Sequence, residues 1–414
     1  MKMRKLVLGI AALAIAGSAV GYAATRPDVI TVGAIYPTGG GQGRGGIDEY
    51  RGVRLAAEYW NRGSGRDVRL RLEPADSADQ APSAIERLVG ARVPVILGSY
   101  GSTVSGPAAE GARRGGVVFW ETGAVGDLGM AASSSDKVFR FPPTGGALGS
   151  SAVSFARDVL LPKLGRKATS LRYGVTYVDD VYGRAVGRGA VAEIRRAGLT
   201  LSGDFPYTLQ GADYAGIVGR IASARTDVLF VSAYLDDGVA LRKETVRQRV
   251  PLVASVGTSS SYCMHEFGQA LGRNAVGLFA SDKPDGHVLD PTRLRPEAGA
   301  ALRWAREEFK RRYDHEMTAP ALTGFSGAWA LFRHVLPRAR SLTPAGVASA
   351  ARSVRVPTGG LPHGSGLEFG AAGRPGAGDN LRATSVIWEW VKPYTRAVVW
   401  PPEFATQAVV ALEL

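Results

Sequence analysis

The 414-residue sequence predicts an α/β protein built as two Rossmann-like lobes with central parallel sheets. Three observations carry this. Short β-branched runs alternate with helical stretches every roughly 25 to 40 residues, the rhythm of parallel βαβ units. The rhythm runs twice in tandem. The length exceeds one comfortable hydrophobic core, while 45% hydrophobic and 21% charged residues is ordinary globular composition.

The chain opens on MKMRK followed by LVLGIAALAIAGSAVGYAA. A basic segment, an apolar segment and a small-residue cleavage site predict a signal peptide over 1–24. Gly17, Ser18 and Gly21 interrupt the apolar run, which argues against an uncleaved anchor. The first lobe then reads ITVGAIY (30–36), a helix around 48–62, VRLRLEPA (68–75), a helix around 80–90, VPVILG (93–98), a helix around 106–114 and GVVFW (116–120). Ser83 and Glu86 have capping-box spacing ahead of Leu88 and Val89, and Pro107 suits a first helical turn. The second copy reads RYGVTYV (172–178), a helix around 183–197, LTLSGDF (199–205), a helix around 212–224, DVLFVSA (227–233), a helix around 237–249, VPLVASV (250–256), a helix around 263–272 and AVGLFAS (275–281). Two amphipathic helices follow without an intervening strand, then a β-rich tail, RATSVIWEWV and TRAVVW. Helices lacking partner strands are expected to return and complete the existing lobes.

Several chemistries fall away on the residues themselves. Net charge is +13, but Arg and Lys are interleaved with Asp and Glu, the pattern of solvated faces rather than of a nucleic-acid site. Gly41, Gly43 and Gly46 match G-x-G-x-x-G, yet Asp48 and Glu49 open the following helix and would repel a pyrophosphate. No ribose-binding acid stands at the required distance. The glycines read instead as a flexible loop at the rim of a cleft. The five histidines and the single Cys263 form no ligand spacing, and Gly324-Phe325-Ser326-Gly327 reads as a small-residue packing face, not a nucleophile elbow. No catalytic residue, metal or cofactor is expected.

Open parallel sheets bind ligands at the carboxyl ends of their strands. There the sequence places Ser99, Tyr100, Ser102, Thr103 and Ser105 after VPVILG, and Gly123 and Ala124 after GVVFW, with Trp120 or Glu121 alongside. The second copy offers Tyr182, Tyr234, Asp236, Asp237, Thr258, Ser259 and Tyr262 at equivalent ends. Hydroxyls at a helix start suit an anion, and aromatic rings with a few polar groups make a small-molecule cleft.

The layout VGAIYPTGG…YRGVRLAAEYWN, ADSADQAPSAIERLV, VPVILGSYGSTVSGPAAE, VVFWETGA and VDDVYGRAVGRGAVAEIRRAG, closing on VVWPP, resembles the extracytoplasmic solute-binding proteins that serve ABC importers of branched-chain amino acids and related compounds. The similarity runs over residues 28 to 402. It implies the type I periplasmic-binding fold, with three crossovers near Arg140–Pro143, Ser281–Pro284 and Pro357–Leu361. Residues 25–141 and 283–357 would then form the N-terminal lobe, 142–282 and 358–402 the C-terminal lobe, and 403–414 a tail. It further implies a periplasmic carrier that hands a small solute to a permease and its ATPase subunits, with a ligand sensor for a membrane receptor as the alternative. By position, Ser102 and Thr103 match the loop holding a ligand carboxylate, Gly123 and Ala124 the loop whose backbone assists, and Tyr182 and Tyr234 rings lining the second lobe. Tyr100, Asp237 and Thr258 complete the expected ligand-binding set. Two positions depart from the pattern. Val125 replaces a hydroxyl residue, and the acid that pairs with an α-ammonium, expected around 257, is absent from Gly257-Thr258-Ser259. Either Asp236 or Asp237 substitutes, or the solute is a different carboxylate or an amide.

Overall fold

The computed structural model describes residues 29–63, 66–129, 135–410 and 412; the expected signal peptide lies outside them. Two sheets organise the chain. The first comprises β1 (Ile30–Ile35), β2 (Val68–Leu72), β3 (Val95–Gly98), β4 (Val118–Glu121) and β5 (Val138–Arg140). All are parallel, in the order β2-β1-β3-β4-β5. The second comprises β6 (Arg172–Val178), β7 (Thr200–Tyr207), β8 (Val228–Ser232), β9 (Ala254–Thr258), β10 (Phe279–Asp282), β11 (Val386–Lys392) and β12 (Thr395–Trp400). Its order is β12-β11-β10-β9-β8-β6-β7, parallel except for the β11–β12 hairpin, which joins β10 antiparallel. The inner strands β3, β4, β8 and β9 are buried at every residue. Helices cover both faces of such strands, so they read as unbroken apolar runs.

Helices α1 (Gly43–Asn61), α2 (Ala81–Gly90) and α3 (Ser102–Arg114) cover the first sheet. Around the second lie α4 (Gly145–Phe155), α5 (Val181–Arg196), α6 (Tyr214–Ser223), α7 (Leu235–Arg247) and α8 (His265–Leu271). The chain then returns to the first lobe with α9 (Pro296–Tyr313) and α10 (Ala319–Ala330), which pack on α1, and α11 (Pro344–Ser353), which packs on β4. Every residue of α10 is buried. Its small residues meet α1 backbone to backbone: a Cβ on Gly52 would lie 1.9 Å from the Ala321 carbonyl oxygen, and one on Gly324 would lie 2.1 Å from that of Glu49. The expected packing face of Gly324 is thus a helix crossing.

Four details differ from the sequence-based expectation. The glycine-rich stretch is not a flexible rim: α1 begins within it at Gly43, and Gly43, Gly45 and Gly46 are buried. A Cβ on Gly45 would lie 2.1 Å from the Tyr100 ring and one on Gly46 2.3 Å from the Pro37 carbonyl oxygen, so close approach explains the glycines. Helix α2 starts ahead of Ser83, with Gln80 at the cap and Pro82 in the first turn, and Ser83 donates back to the Gln80 carbonyl (3.1 Å) instead of capping. Helix α3 starts at Ser102, which puts Pro107 inside it. The third passage between the lobes falls later than Pro357–Leu361. Arg140 and Asp379 form a parallel bridge and an ion pair of 3.0 Å, and Phe369 packs on Trp120 and Phe139 with ring centroids 5.1 and 4.9 Å apart. The chain therefore stays beside β5 until Asn380 and reaches the second sheet only at Val386.

Candidate functional site

The carboxyl ends of the two sheets face each other, and side chains bridge the seam. Gln42 lies over Gly101 and donates from Nε2 to the Tyr234 hydroxyl (3.2 Å), while the buried Lys283 Nζ donates to the Gly123 carbonyl (3.0 Å). At the rim Arg44 of α1 forms an ion pair with Glu266 of α8. A Cβ on Gly126 would touch Ser102 at 2.6 Å and Val181, the residue before Tyr182, at 2.9 Å. Expected residues from both lobes thus converge on one seam.

On the first-lobe wall an internal carboxylate dominates. Glu121, fully buried at the end of β4, accepts the Ser99 N–H (2.9 Å), the Gly123 N–H (2.8 Å), the Ala124 N–H (2.7 Å) and the Ser105 hydroxyl. The backbone donors of Gly123 and Ala124 are therefore committed to Glu121, although by resemblance they were expected to assist a ligand carboxylate. Burial raises the Glu121 pKa, while the Ser105 hydroxyl and the three N–H donors oppose that rise. Ser102 Oγ accepts the Gly126 N–H (3.0 Å), and Arg140 holds the Val125 and Gly126 carbonyls (3.1 and 2.7 Å). Thr103 is half-buried in the first turn of α3. Tyr100 takes a left-handed φ of 68° and lays its ring against Gly45. Trp120 belongs to the core, its indole donating to the Gly327 carbonyl (3.1 Å).

On the second-lobe wall the Tyr182 and Thr258 hydroxyls are hydrogen-bonded (2.8 Å), and the rings of Tyr182 and Tyr234 lie 5.5 Å apart. The Tyr234 hydroxyl donates to Asp180 (2.6 Å). Asp237 takes no part in this cluster. It is fully buried, accepts the Tyr207 hydroxyl at the end of β7, and burial raises its pKa to about 6. Asp236 is exposed. Gly257 carries no acid because a Cβ there would lie 2.1 Å from Tyr262 Cγ, and that ring, stacked on Phe267 at 4.4 Å, is core rather than cleft.

Three features escaped the sequence reading. Glu49, on the buried face of α1, accepts the Thr122 hydroxyl (2.6 Å) but has no partner for Oε2; burial lifts its pKa to about 8 against the opposing charge of Lys283. Asp282, the last residue of β10, is 1% exposed and has no partner for Oδ1. Third, a cavity of about 770 Å3 opens between α1 and the α9–α10 turn on one side and α8 and the β11–β12 turn on the other. Gly45, Asp48, Cys263, His265, Met317 and Tyr394 are among its lining residues. None of the nine expected ligand residues lines it, but Gly45 carries the Tyr100 ring on its far side, so cavity and seam adjoin. No pattern of spacing marks this cavity, which forms from five segments distant in sequence.

The family model described as "Periplasmic binding protein" matches residues 29–377. Leu/Ile/Val-binding protein homolog 8 of Brucella suis biovar 1 (strain 1330) is 26% identical over 396 residues, covering 94% of each chain. Among solved structures, the leucine-binding protein LivK of Thermotoga maritima MSB8 superposes with a TM-score of 0.74 at 18% identity, over 89% of this chain and 97% of its own. A solute-binding protein of an ABC transporter from R. palustris, in complex with benzoate, gives 0.71 at 17% identity, over 93% of this chain and 100% of its own. Both likenesses are of fold.

Proposed function

As the chain belongs to the periplasmic binding protein family, we propose that it is the extracytoplasmic solute-binding component of an ABC importer, trapping a small solute between its lobes and delivering it to a permease. The supporting observation is the seam: Gln42 of the first lobe donates to Tyr234, whose ring lies beside the hydrogen-bonded Tyr182–Thr258 pair of the second, and Gly126 packs against both Ser102 and Val181, the residue before Tyr182. A cleft that closes on its ligand couples binding to a change of shape that a permease can read. The adjoining cavity, about 770 Å3, falls in the range of small-molecule sites. The protein is a carrier in this reading, and no bond is made or broken. The names of its relatives, Leu/Ile/Val-binding on one side and benzoate-bound on the other, point to an amino acid or a related carboxylate or amide. Thermal unfolding with leucine, valine, phenylalanine, benzoate and urea, followed by calorimetry, tests the reading. A ligand at 100 times its Kd stabilises the fold by about 2.7 kcal/mol, so a binder raises Tm by several degrees. A Tm unmoved by the whole panel and by a wider metabolite library would remove the solute-binding role.

A further inference from the structure

We propose that the cavity beside the seam is an anion site in its own right, in which Arg396 of the β11–β12 hairpin receives the carboxylate or phosphate group of a small polar ligand. Such a site goes beyond the solute-binding reading and does not need it, because none of the nine expected ligand residues lines this cavity. Helix α1 and the α9–α10 turn supply one wall, and α8 and the β11–β12 turn the other. Asp285 and His287, just after β10, complete the lining. A volume of about 770 Å3 is that of a ligand site rather than of a packing gap.

Arg396 is held in a way that packing alone does not require. Its side chain is 5% exposed and lies over the faces of Trp388 and Trp390, 4.6 and 5.4 Å from the ring centroids, which fixes the plane of the guanidinium. One amino group, Nη2, donates to Asp285 (3.2 Å), while the other, Nη1, has no partner. Trp388 Nε1, in the ring under the same guanidinium, has none either. A buried donor left unsatisfied is costly, the more so when charged. A flat, fixed guanidinium with an open amino group suits the oxygens of a carboxylate or a phosphate.

The charges around Arg396 leave room for one more anion. Burial works against ionisation of Asp285, yet His287 and Arg396 hold its carboxyl below the usual range, so it carries one negative charge. Two guanidiniums share that charge: Arg306, whose own donors go to the Gly286 and Leu289 carbonyls, also lies near enough for Asp285 to act on it. The other acids of the lining are matched one to one, Asp48 with Arg51, Glu266 with Arg44 and Glu316 with Lys310. Of the acids close by, Asp290 has Arg293, and Asp282, a neighbour of the lining residue Cys263, has Lys283. One positive charge is left over, and it sits beside the unpartnered donor. His265 and His315 bring further ring nitrogens to the lining.

Calorimetry on the purified chain, with matched pairs in two arms, tests this. Succinate with succinamide and benzoate with benzamide probe carboxylates; glycerol 3-phosphate with glycerol, and inorganic phosphate, probe phosphates. At least one anion should bind about tenfold or more tightly than its neutral partner, and Arg396→Gln should remove that advantage. The arm that responds shows whether a carboxylate or a phosphate is the group received. Gln269→Glu, which adds a negative charge at an exposed lining position of α8, should weaken the same anion about threefold or more at low salt, and it decides if Arg396→Gln fails to fold. Neutral partners that bind as well as the anions, or no anion with a Kd below about 1 mM, would overturn the inference. So would an anion affinity unchanged in a folded Arg396→Gln, or unchanged in Gln269→Glu where Arg396→Gln does not fold, since the anion would then sit elsewhere, such as at the seam. Each of these results leaves the solute-binding reading to its own panel.

Discussion

Two buried carboxylates on the first-lobe wall decide much of its local energetics, and neither was legible as such. Glu121 reads from the sequence as a wall residue beside a glycine turn. Its four hydrogen-bonding neighbours come from the turn before α3, from α3 itself and from its own loop, which the sequence does not show to converge. Glu121→Ala leaves those donors buried and unsatisfied, and unfolding in urea should show a loss of about 3–5 kcal/mol. Glu49 makes a pH prediction. Its folded pKa of about 8 lies above the unfolded value of about 4.5, so between these pH values the folded state holds a proton the unfolded chain has lost, and stability falls as pH rises. Below about pH 6.5 the opposite trend of the buried His334 and His363, held down to about 4 and about 3 by burial, works against it. At about pH 6.5 the unfolded histidines are still half protonated and offset the Glu49 proton, and they are largely neutral in both states only above about pH 7. From about pH 7 to 8 stability should therefore drop on account of Glu49, with a slope below the full value of about 1.4 kcal/mol per pH unit because Glu49 itself ionises toward pH 8. Denaturation midpoints across this window check it: Glu49→Gln should flatten the slope, and an unchanged slope would contradict the buried, protonated acid.

At the scale of elements, period and composition were enough to place most strands and helices, because both faces of the inner strands are buried and the helices are amphipathic. What they missed has a common cause. Helix α4, in GGALGSSAVSF, consists largely of small residues with little polar contrast, and three-residue β5 is too short to show a period. The start of α1 is hidden in glycines that are there for close approach, a tertiary reason invisible to local preference. The α1–α10 crossing makes that reason measurable. A methyl on Gly52 would meet the Ala321 carbonyl oxygen at 1.9 Å and the Phe325 nitrogen at 2.8 Å, both backbone atoms of a fully buried helix that cannot rotate aside. Gly52→Ala should cost about 1–3 kcal/mol through forced displacement of α10, despite the better helix propensity of alanine. Gly90, with nothing within 4 Å of its added Cβ, is the control: Gly90→Ala should leave chemical stability unchanged or raised by about 0.5–1 kcal/mol. Equal effects at both sites would mean that the crossing is looser than described.

For the molecule as a whole, the two-lobe plan was legible because tandem βαβ rhythms admit few other arrangements, whereas the third passage between lobes was not. Residues 356–381 contain isolated bridges rather than a strand, and only long-range contacts such as Phe369 on Trp120 hold them to the first lobe. How the lobes are held together follows from a few cross-seam contacts of unequal worth. The Arg44–Glu266 pair has an Arg44 side chain 69% exposed, so salt should screen it and its contribution should stay below about 1 kcal/mol. The Gln42–Tyr234 hydrogen bond is better sheltered, and Tyr234 is already oriented from its own lobe by Asp180. Removing Gln42 therefore subtracts an interlobe bond while leaving the second-lobe wall in place. A net loss of about 0.5–1.5 kcal/mol moves the open–closed equilibrium toward the open form by roughly two- to tenfold, and a solute that binds the closed form loses affinity by up to the same factor. Small-angle scattering of Gln42→Ala without solute should show a larger radius of gyration than the wild type, and saturating solute should restore the compact value. If affinity fell while the unliganded radius stayed unchanged, Gln42 would be acting on the solute directly rather than on closure.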